Sequence, residues 1–158
     1  MKKIPLTNSS EFALVSDRVY KKVIEYRWYA LRRNALKKNK ITGVNSVEHP
    51  HILLSHLIKG KPPKGKEWDH EDRNPLNNRD GNLRLATKSQ NRANTCTRVT
   101  NKSGFRGVSW RFGRWVVQIT VNRKKKHLGY FTSLVKAARV YDKAALEAFG
   151  EFATLNFK

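Results

Sequence analysis

The chain has 158 residues, with 33 Lys and Arg against 12 Asp and Glu, a formal charge of +21. That length permits one ordinary domain or two small ones, and a pI near 10.5 points to a polyanionic partner. Nucleic acid fits better than a membrane, because no segment approaches the roughly 18 consecutive apolar residues of a spanning helix and the basic residues sit among aromatics and glycine, not along one amphipathic helix.

The single cysteine, Cys96, excludes an intrachain disulfide and any cysteine-rich zinc site. It fits a reducing, cytoplasmic setting. Zinc held by His and carboxylate alone stays open, although no His-x-x-x-His pair is evident. The start, Met1-Lys2-Lys3-Ile4-Pro5-Leu6, lacks the apolar run of a signal peptide.

Residues 1–66 read as short strands with a helix between them. Glu11-Phe12-Ala13-Leu14-Val15 alternates as a strand does, Asp17 is placed to cap a short helix through Tyr20, Val23 and Ile24, and aromatic-rich Tyr26 to Leu31 suits another strand. Ile52 to Ile58 reads as a short buried helix, with His56 as a structural residue, stopped by Gly60 and the Pro62-Pro63 pair.

Over residues 67–95 the pattern is strand, loop, strand, helix. Trp68-Asp69-His70 ends the first strand, and 71–81 is dense in the Asp, Asn, Pro and Gly of turns. Asn82-Leu83-Arg84-Leu85-Ala86 alternates as the second strand, and Thr87 is the N-cap of a helix from Lys88 to about Asn94. Residues 96–104 are polar and read as a linker.

Residues 105–158 read as three strands, near 105–110, 114–121 and 125–131, with turns at Phe112-Gly113 and Asn122-Arg123-Lys124. A helix follows, capped by Thr132 or Ser133 and running to Phe149 before Gly150. Leu134, Ala138, Tyr141, Ala145 and Ala148 line one face of it. From Gly81 to Tyr141 there is no acidic residue and fourteen basic ones. A one-signed block is either disordered or a binding surface, and the many core-forming aromatics and β-branched residues in its second half exclude disorder.

The Asp, His and Asn residues of 67–95 carry the chemistry. A carboxylate and an amide oxygen suit a hard divalent cation that keeps most of its waters, and Asp69 and Asn91 supply them. His70, next to Asp69 on a strand, points the other way and can activate a water. Asn82 can bridge backbone groups across the loop and fix the imidazole.

Trp68-Asp69-His70, Leu76-Asn77-Asn78-Arg79, Asn82-Leu83-Arg84-Leu85-Ala86-Thr87 and Gln90-Asn91-Arg92-Ala93-Asn94 together resemble the HNH endonuclease family in its homing-type branch. The N-terminal text Ile4-Pro5-Leu6-Thr7, Phe12-Ala13-Leu14-Val15 and Tyr26-Arg27-Trp28-Tyr29 extends that likeness over residues 1–95. The resemblance implies a ββα-metal site with Asp69 and Asn91 binding Mg2+, or another divalent cation such as Mn2+. It makes His70 the general base and Asn82 its brace. Two departures stand out: Ser55-His56 precedes Leu57-Ile58-Lys59-Gly60 where the family has His-Arg, so that either His56 takes over that role from a neighbouring position or the role is lost and His56 is structural, the favoured reading; and Asn77 stands where Asp is commoner.

Phe105-Arg106-Gly107-Val108-Ser109-Trp110-Arg111, Arg114-Trp115-Val116-Val117-Gln118-Ile119, His127-Leu128-Gly129-Tyr130-Phe131, Ala137-Ala138 with Tyr141-Asp142 and Ala144-Ala145, and Leu155-Asn156-Phe157 resemble the AP2 DNA-binding domain over 103–158. Carried over by position, Arg106, Arg111, Arg114, Trp115 and Lys125 are the implied DNA contacts. Trp110 and Trp115 can equally serve as core, Tyr141 and Asn156 are expected to be structural, and Lys124 to Lys126 can be a solvated turn. Ser109, Thr120 and His127 replace residues of the plant pattern, so plant target sequences do not transfer.

The expected protein is α+β. An HNH region (1–95, ββα core 67–95) is linked through 96–104 to a three-stranded antiparallel sheet plus one helix (105–158). Its expected activity is site-selective, metal-dependent hydrolysis of double-stranded DNA, of homing or mobile-element type, without an organic cofactor. A phage origin would place it in the host cell interior. The rivals are a non-catalytic, sequence-specific DNA-binding regulator and a ribosomal-type RNA-binding protein. Nothing in the sequence sets the number of copies in the active assembly.

Overall fold

The computed structural model describes residues 1–32, 41–49, 52–95 and 101–157, and the chain divides into two compact units, Met1–Ala86 and Thr87–Lys158. In the first unit a four-stranded sheet runs in the order β2-β1-β3-β4, built from β1 (Lys2–Leu6), β2 (Ser9–Val15), β3 (Trp28–Arg32) and β4 (Ile41–Ser46). β1 is antiparallel to β2 and parallel to β3, and β3 is antiparallel to β4. Period-two alternation turns Ile4 and Leu6, and Ala13 and Val15, inward. Over them pack α1 (Asp17–Val23) and α2 (Leu54–Lys59), which bring Val19, Val23 and Leu54 to a core centred on Trp28. The Trp28 indole N–H donates to the Val23 carbonyl at 2.8 Å, so this buried ring keeps its polar atom satisfied.

Three local expectations change here. Ser16, not Asp17, occupies the N-cap of α1; Asp17 is its first helical residue, and its carboxylate accepts from the N-terminal ammonium at 2.6 Å. Strands β1 and β4 join the two read from the sequence. α2 forms as expected and ends at Gly60, whose φ of 81° a glycine adopts without strain, but His56 is only partly buried.

A two-stranded sheet of β5 (Lys66–His70) and β6 (Leu83–Thr87) completes the first unit's strands. Asn82 belongs to a short 3-10 turn, Asp80–Asn82, ahead of β6.

The second unit begins with α3 (Lys88–Ala93). Thr87 caps it in a full capping box: its hydroxyl accepts from the Gln90 N–H, and the Gln90 side chain accepts from the Thr87 N–H. The helix expected to close the first region therefore packs within the second unit. Of the expected linker, residues 96–100, Cys96 among them, lie outside the described residues, and 101–104 form a turn.

The sheet of this unit is β7 (Val108–Arg111), β8 (Arg114–Val121) and β9 (Lys124–Phe131), antiparallel in that order. β7 starts at Val108, later than 105, because Asn101 and Ser103 hold Phe105 in a turn through side-chain bonds to its carbonyl and N–H. Both hairpins turn on two residues of positive φ, Phe112-Gly113 and Asn122-Arg123, the geometry that matches strand twist.

α4 (Leu134–Phe149) has Ser133 at its N-cap, accepting from the Lys136 N–H, and Gly150 at its C-cap. Its buried face is Ala137, Ala138, Tyr141, Asp142, Ala145 and Phe149. Ala148 is exposed, so the buried stripe is rotated from the expected one. The small residues let the helix lie close to the sheet. Among the described residues no helix is long and apolar enough to cross a membrane.

Candidate active site and nucleic-acid face

β5 ends in Trp68-Asp69-His70, and alternation sends neighbouring side chains to opposite faces. Asp69 is buried, 4% exposed, and its carboxylate accepts from Arg84 Nε on β6 at 3.1 Å. Arg84 also reaches Glu71 at 3.7 Å. His70 points toward the loop, where Nε2 lies 3.2 Å from Asn78 Oδ1. The Asn78 amide nitrogen donates to the Pro75 carbonyl at 3.1 Å, which orients Oδ1 as the acceptor. Burial pushes the imidazole below its ordinary 6.5; the Asn78 bond and the nearby Asp72 and Asp69 carboxylates oppose this without cancelling it.

Residues 71–82 are fixed by amide-to-carboxylate bonding centred on Asp72. Its Oδ1 accepts from the Asn74 N–H at 2.8 Å and from Asn82 Nδ2 at 3.0 Å, and its Oδ2 accepts from Asn77 Nδ2 at 2.6 Å. Asn82 returns the contact by accepting the Asp72 N–H at 3.0 Å, and it donates to the Asn77 carbonyl at 2.6 Å. It thus spans the loop as a backbone bridge. Partial desolvation pushes the Asp72 carboxyl up, but the bonds from Asn77, Asn74 and Asn82, with His70, hold it below its ordinary value. The amide at position 77 now has a reason: a carboxylate there would lack the hydrogen that Asp72 accepts.

The loop is stitched to the first sheet. The Leu14 N–H donates to the Leu76 carbonyl at 2.7 Å, and the Asn78 N–H to the Leu14 carbonyl at 2.8 Å. Asp80 receives a two-pronged bond from Arg18, at 2.7 and 2.6 Å, and lies 3.3 Å from Lys59 Nζ.

Among the described residues no three His, Cys, Asp or Glu side chains gather as a metal cluster. The donors present suit a hard cation that retains its waters and takes few protein ligands, not an all-protein cage. Asn91, the second expected ligand, lies partly buried on α3 of the second unit.

The second unit separates its expected DNA contacts. Register pairs Val108 with Val117 and Trp110 with Trp115, setting these four on one face, and Val117 is fully buried there. Ser109, Arg111, Arg114, Gln118 and Thr120 fall on the opposite face, with Lys125 beside Thr120 and His127 beside Gln118. Arg111, Arg114 and Lys125 are exposed. Trp115 is half-buried on the inner face, edge-on to Trp110 at 4.7 Å. Phe112, at the hairpin tip, is 90% exposed between Arg111 and Gly113.

Arg106 is engaged inside the unit: Nε donates to the Tyr141 hydroxyl at 2.9 Å, and the guanidinium also donates to the Arg92 and Thr95 carbonyls. Sequence reasoning did not single out Asn78, Asp72 or Arg84 for these roles. The Asn-rich loop is the only signal that marks the first two.

Residues 48–93 match the family model described as HNH endonuclease. The chain is 33% identical over 145 residues to an uncharacterised HNH endonuclease of Acanthamoeba polyphaga mimivirus, covering 92% of this chain and 74% of that one. It is 36% identical over 105 residues to Protein 3.8 of Escherichia phage T7, covering 65% and 86%. It is 33% identical over 79 residues to an ethylene-responsive transcription factor-like protein of Arabidopsis thaliana, covering 49% of this chain and 35% of that one. An Asp-His strand end, an Asn-braced loop and a match over 92% of this chain to a protein of that name agree: the chain belongs to the HNH endonuclease family.

Proposed function

We propose that the protein is a divalent-metal-dependent DNA endonuclease that cuts at selected sites, with the strand-and-loop chemistry of the first unit aimed by the sheet of the second. The observation that carries this reading is the end of β5, where a buried carboxylate and an imidazole of opposite direction sit within the segment matched to the nuclease family. Asp69 and Asn91 are the proposed ligands of Mg2+ or Mn2+. Such a cation, when bound, stabilises charge on the phosphate oxygens and the leaving oxygen.

Arg84 fixes the orientation of the Asp69 carboxylate, as a ligating carboxylate requires. His70 accepts the proton of the attacking water. Its lowered pKa keeps it in the accepting form at neutral pH. Asn82 holds the loop that carries Asn78, and Asn78 holds the imidazole.

On the outer face of the second sheet, Arg111, Arg114 and Lys125 meet DNA, arginine being suited to guanine edges and both residue types to phosphates. Trp115 backs that face from within. The viral and phage relatives support a homing or mobile-element role.

Cleavage of supercoiled plasmid with Mg2+, compared with EDTA and with His70→Ala, tests the reading. Nicking or linearisation only by the wild type with metal is the expected result. The transcription-factor-like relative favours a second reading, a regulator that binds without cutting. Tight, salt-sensitive DNA binding with no cleavage under Mg2+ or Mn2+ across varied targets would establish it.

A further inference from the structure

Arg106 has the position of a DNA contact and the surroundings of a strut. Its guanidinium caps the C-terminal end of α3, donating to the Arg92 carbonyl at 2.8 Å, to the Thr95 carbonyl and to Thr95 Oγ1 at 3.4 Å, while Nε donates to the Tyr141 hydroxyl of α4. A cation at a helix C-terminus also meets the negative end of the helix dipole.

The residue cannot drift. Its N–H donates to Asn156 Oδ1 at 2.6 Å, and its carbonyl accepts from Asn156 Nδ2 at 3.2 Å. Asp142 of α4 holds that tail segment by accepting the Asn156 and Phe157 N–H groups. At the other end of α3, Ser89 Oγ accepts the N–H of Asn122 in the β8–β9 turn at 3.0 Å. The short helix is thus fastened at both ends to the sheet-bearing module.

Resting on the nuclease reading above, we infer that Arg106 is a positioning residue. It clamps α3, and with it the proposed metal ligand Asn91, onto the sheet-bearing module.

The test uses full-length protein. Wild type, Arg106→Ala and Arg106→Lys are compared by hydrogen exchange of the α3 amides, by Mn2+ titration without DNA, and by DNA affinity in EDTA over a salt series. In both variants the expected result is faster α3 exchange and Mn2+ binding weakened about tenfold or more, the scale seen when a ligand's supporting contact is lost. Lysine keeps the charge but cannot span acceptors on three residues. DNA affinity in EDTA and its salt slope should stay near wild type.

Unchanged exchange and Mn2+ binding, with a salt slope shallower by about one in Arg106→Ala, would mark a phosphate contact and overturn the proposal. Should Arg106→Ala not fold, Arg106→Lys decides alone, since a wild-type profile in that variant also overturns it. If wild-type protein binds no Mn2+, the metal-dependent reading fails, while α3 exchange still decides the clamp.

Discussion

The two units use polar residues in opposite ways. The first holds eighteen basic and nine acidic residues, the second fifteen and three. In the first unit, carboxylates and amides turn inward: Asp69, Asn77, Asn78 and Asn82 are buried, and Asp72 organises the loop. In the second, the interior is alanine, valine and aromatic, and cations stand on one exposed face of the sheet. Buried polar networks specify a unique geometry when every member is satisfied, and an exposed one-signed face confers long-range, salt-sensitive attraction. The contrast teaches that charge imbalance alone marks the proposed docking face, whereas the candidate catalytic site lies where the charges are most nearly balanced.

The sharpest way to separate the units is His70→Ala. It should lower the cleavage rate by about 10²–10⁴-fold, the usual contribution of a general base, and leave DNA affinity in EDTA unchanged; single-turnover cleavage and mobility shift read the two.

Gly107→Ala should break the second unit. At φ 72° an added Cβ would come within 2.0 Å of the Tyr141 ring and 2.8 Å of the Gln118 carbonyl. Clash and left-handed backbone together cost about 2–5 kcal/mol, visible as a lowered melting temperature and lost DNA binding.

Asn82→Ala tests the first unit in the same manner. It strands the Asp72 N–H and the Asn77 carbonyl, each costing about 1–3 kcal/mol if left unpaired, and cleavage should fall while DNA binding persists.

Arg111→Ala or Lys125→Ala should leave melting unchanged and reduce the salt slope of DNA binding by about one.

The smallest effect is acid loosening of the first unit. The hydrogen bond from Arg27 holds Glu48 at about 2, and that from Arg18 holds Asp80 below its ordinary 3.8. A carboxyl depressed on folding binds fewer protons folded than unfolded. It therefore contributes stability above its unfolded value and loses it as pH falls through the folded one. The melting temperature should fall as pH drops from about 4.5 toward 2, modestly, because exposed pairs are weak.

Features decided by local chemistry are legible in the sequence. Thr87, Ser133 and Gly150 cap as their side chains or backbone freedom dictate, and Phe112-Gly113 and Asn122-Arg123 turn where expected. Asp-His with its spaced asparagines marks the candidate site for the same reason. Features decided by distant partners are not legible. The pairing of β1 with both β2 and β3 depends on residues from 9 to 28, and no local signal says that Asn78 meets His70. Trp115 is read as a contact from position, but it shares the sheet face of buried Val108 and Val117 and is itself half-buried. Arg106 is a surface cation until α3 and α4 supply acceptors from Arg92, Thr95 and Tyr141. Which face of α4 is buried follows from the sheet beneath it, which is why Ala137 replaces Ala148.

The backbone rung between Leu14 and the loop bears on how such a nuclease can be inherited. The family-matched stretch begins at residue 48, yet the carbonyl of Leu76 and the N–H of Asn78 are satisfied by a residue more than sixty positions upstream. Excised alone, that stretch would leave both groups without their protein partner and the Asn-rich loop without its template. The family-matched segment is therefore not a portable cassette. A recombination joint between Leu14 and residue 48 would have to bring a matching first sheet with it, so the opening residues and the loop should exchange between genomes together.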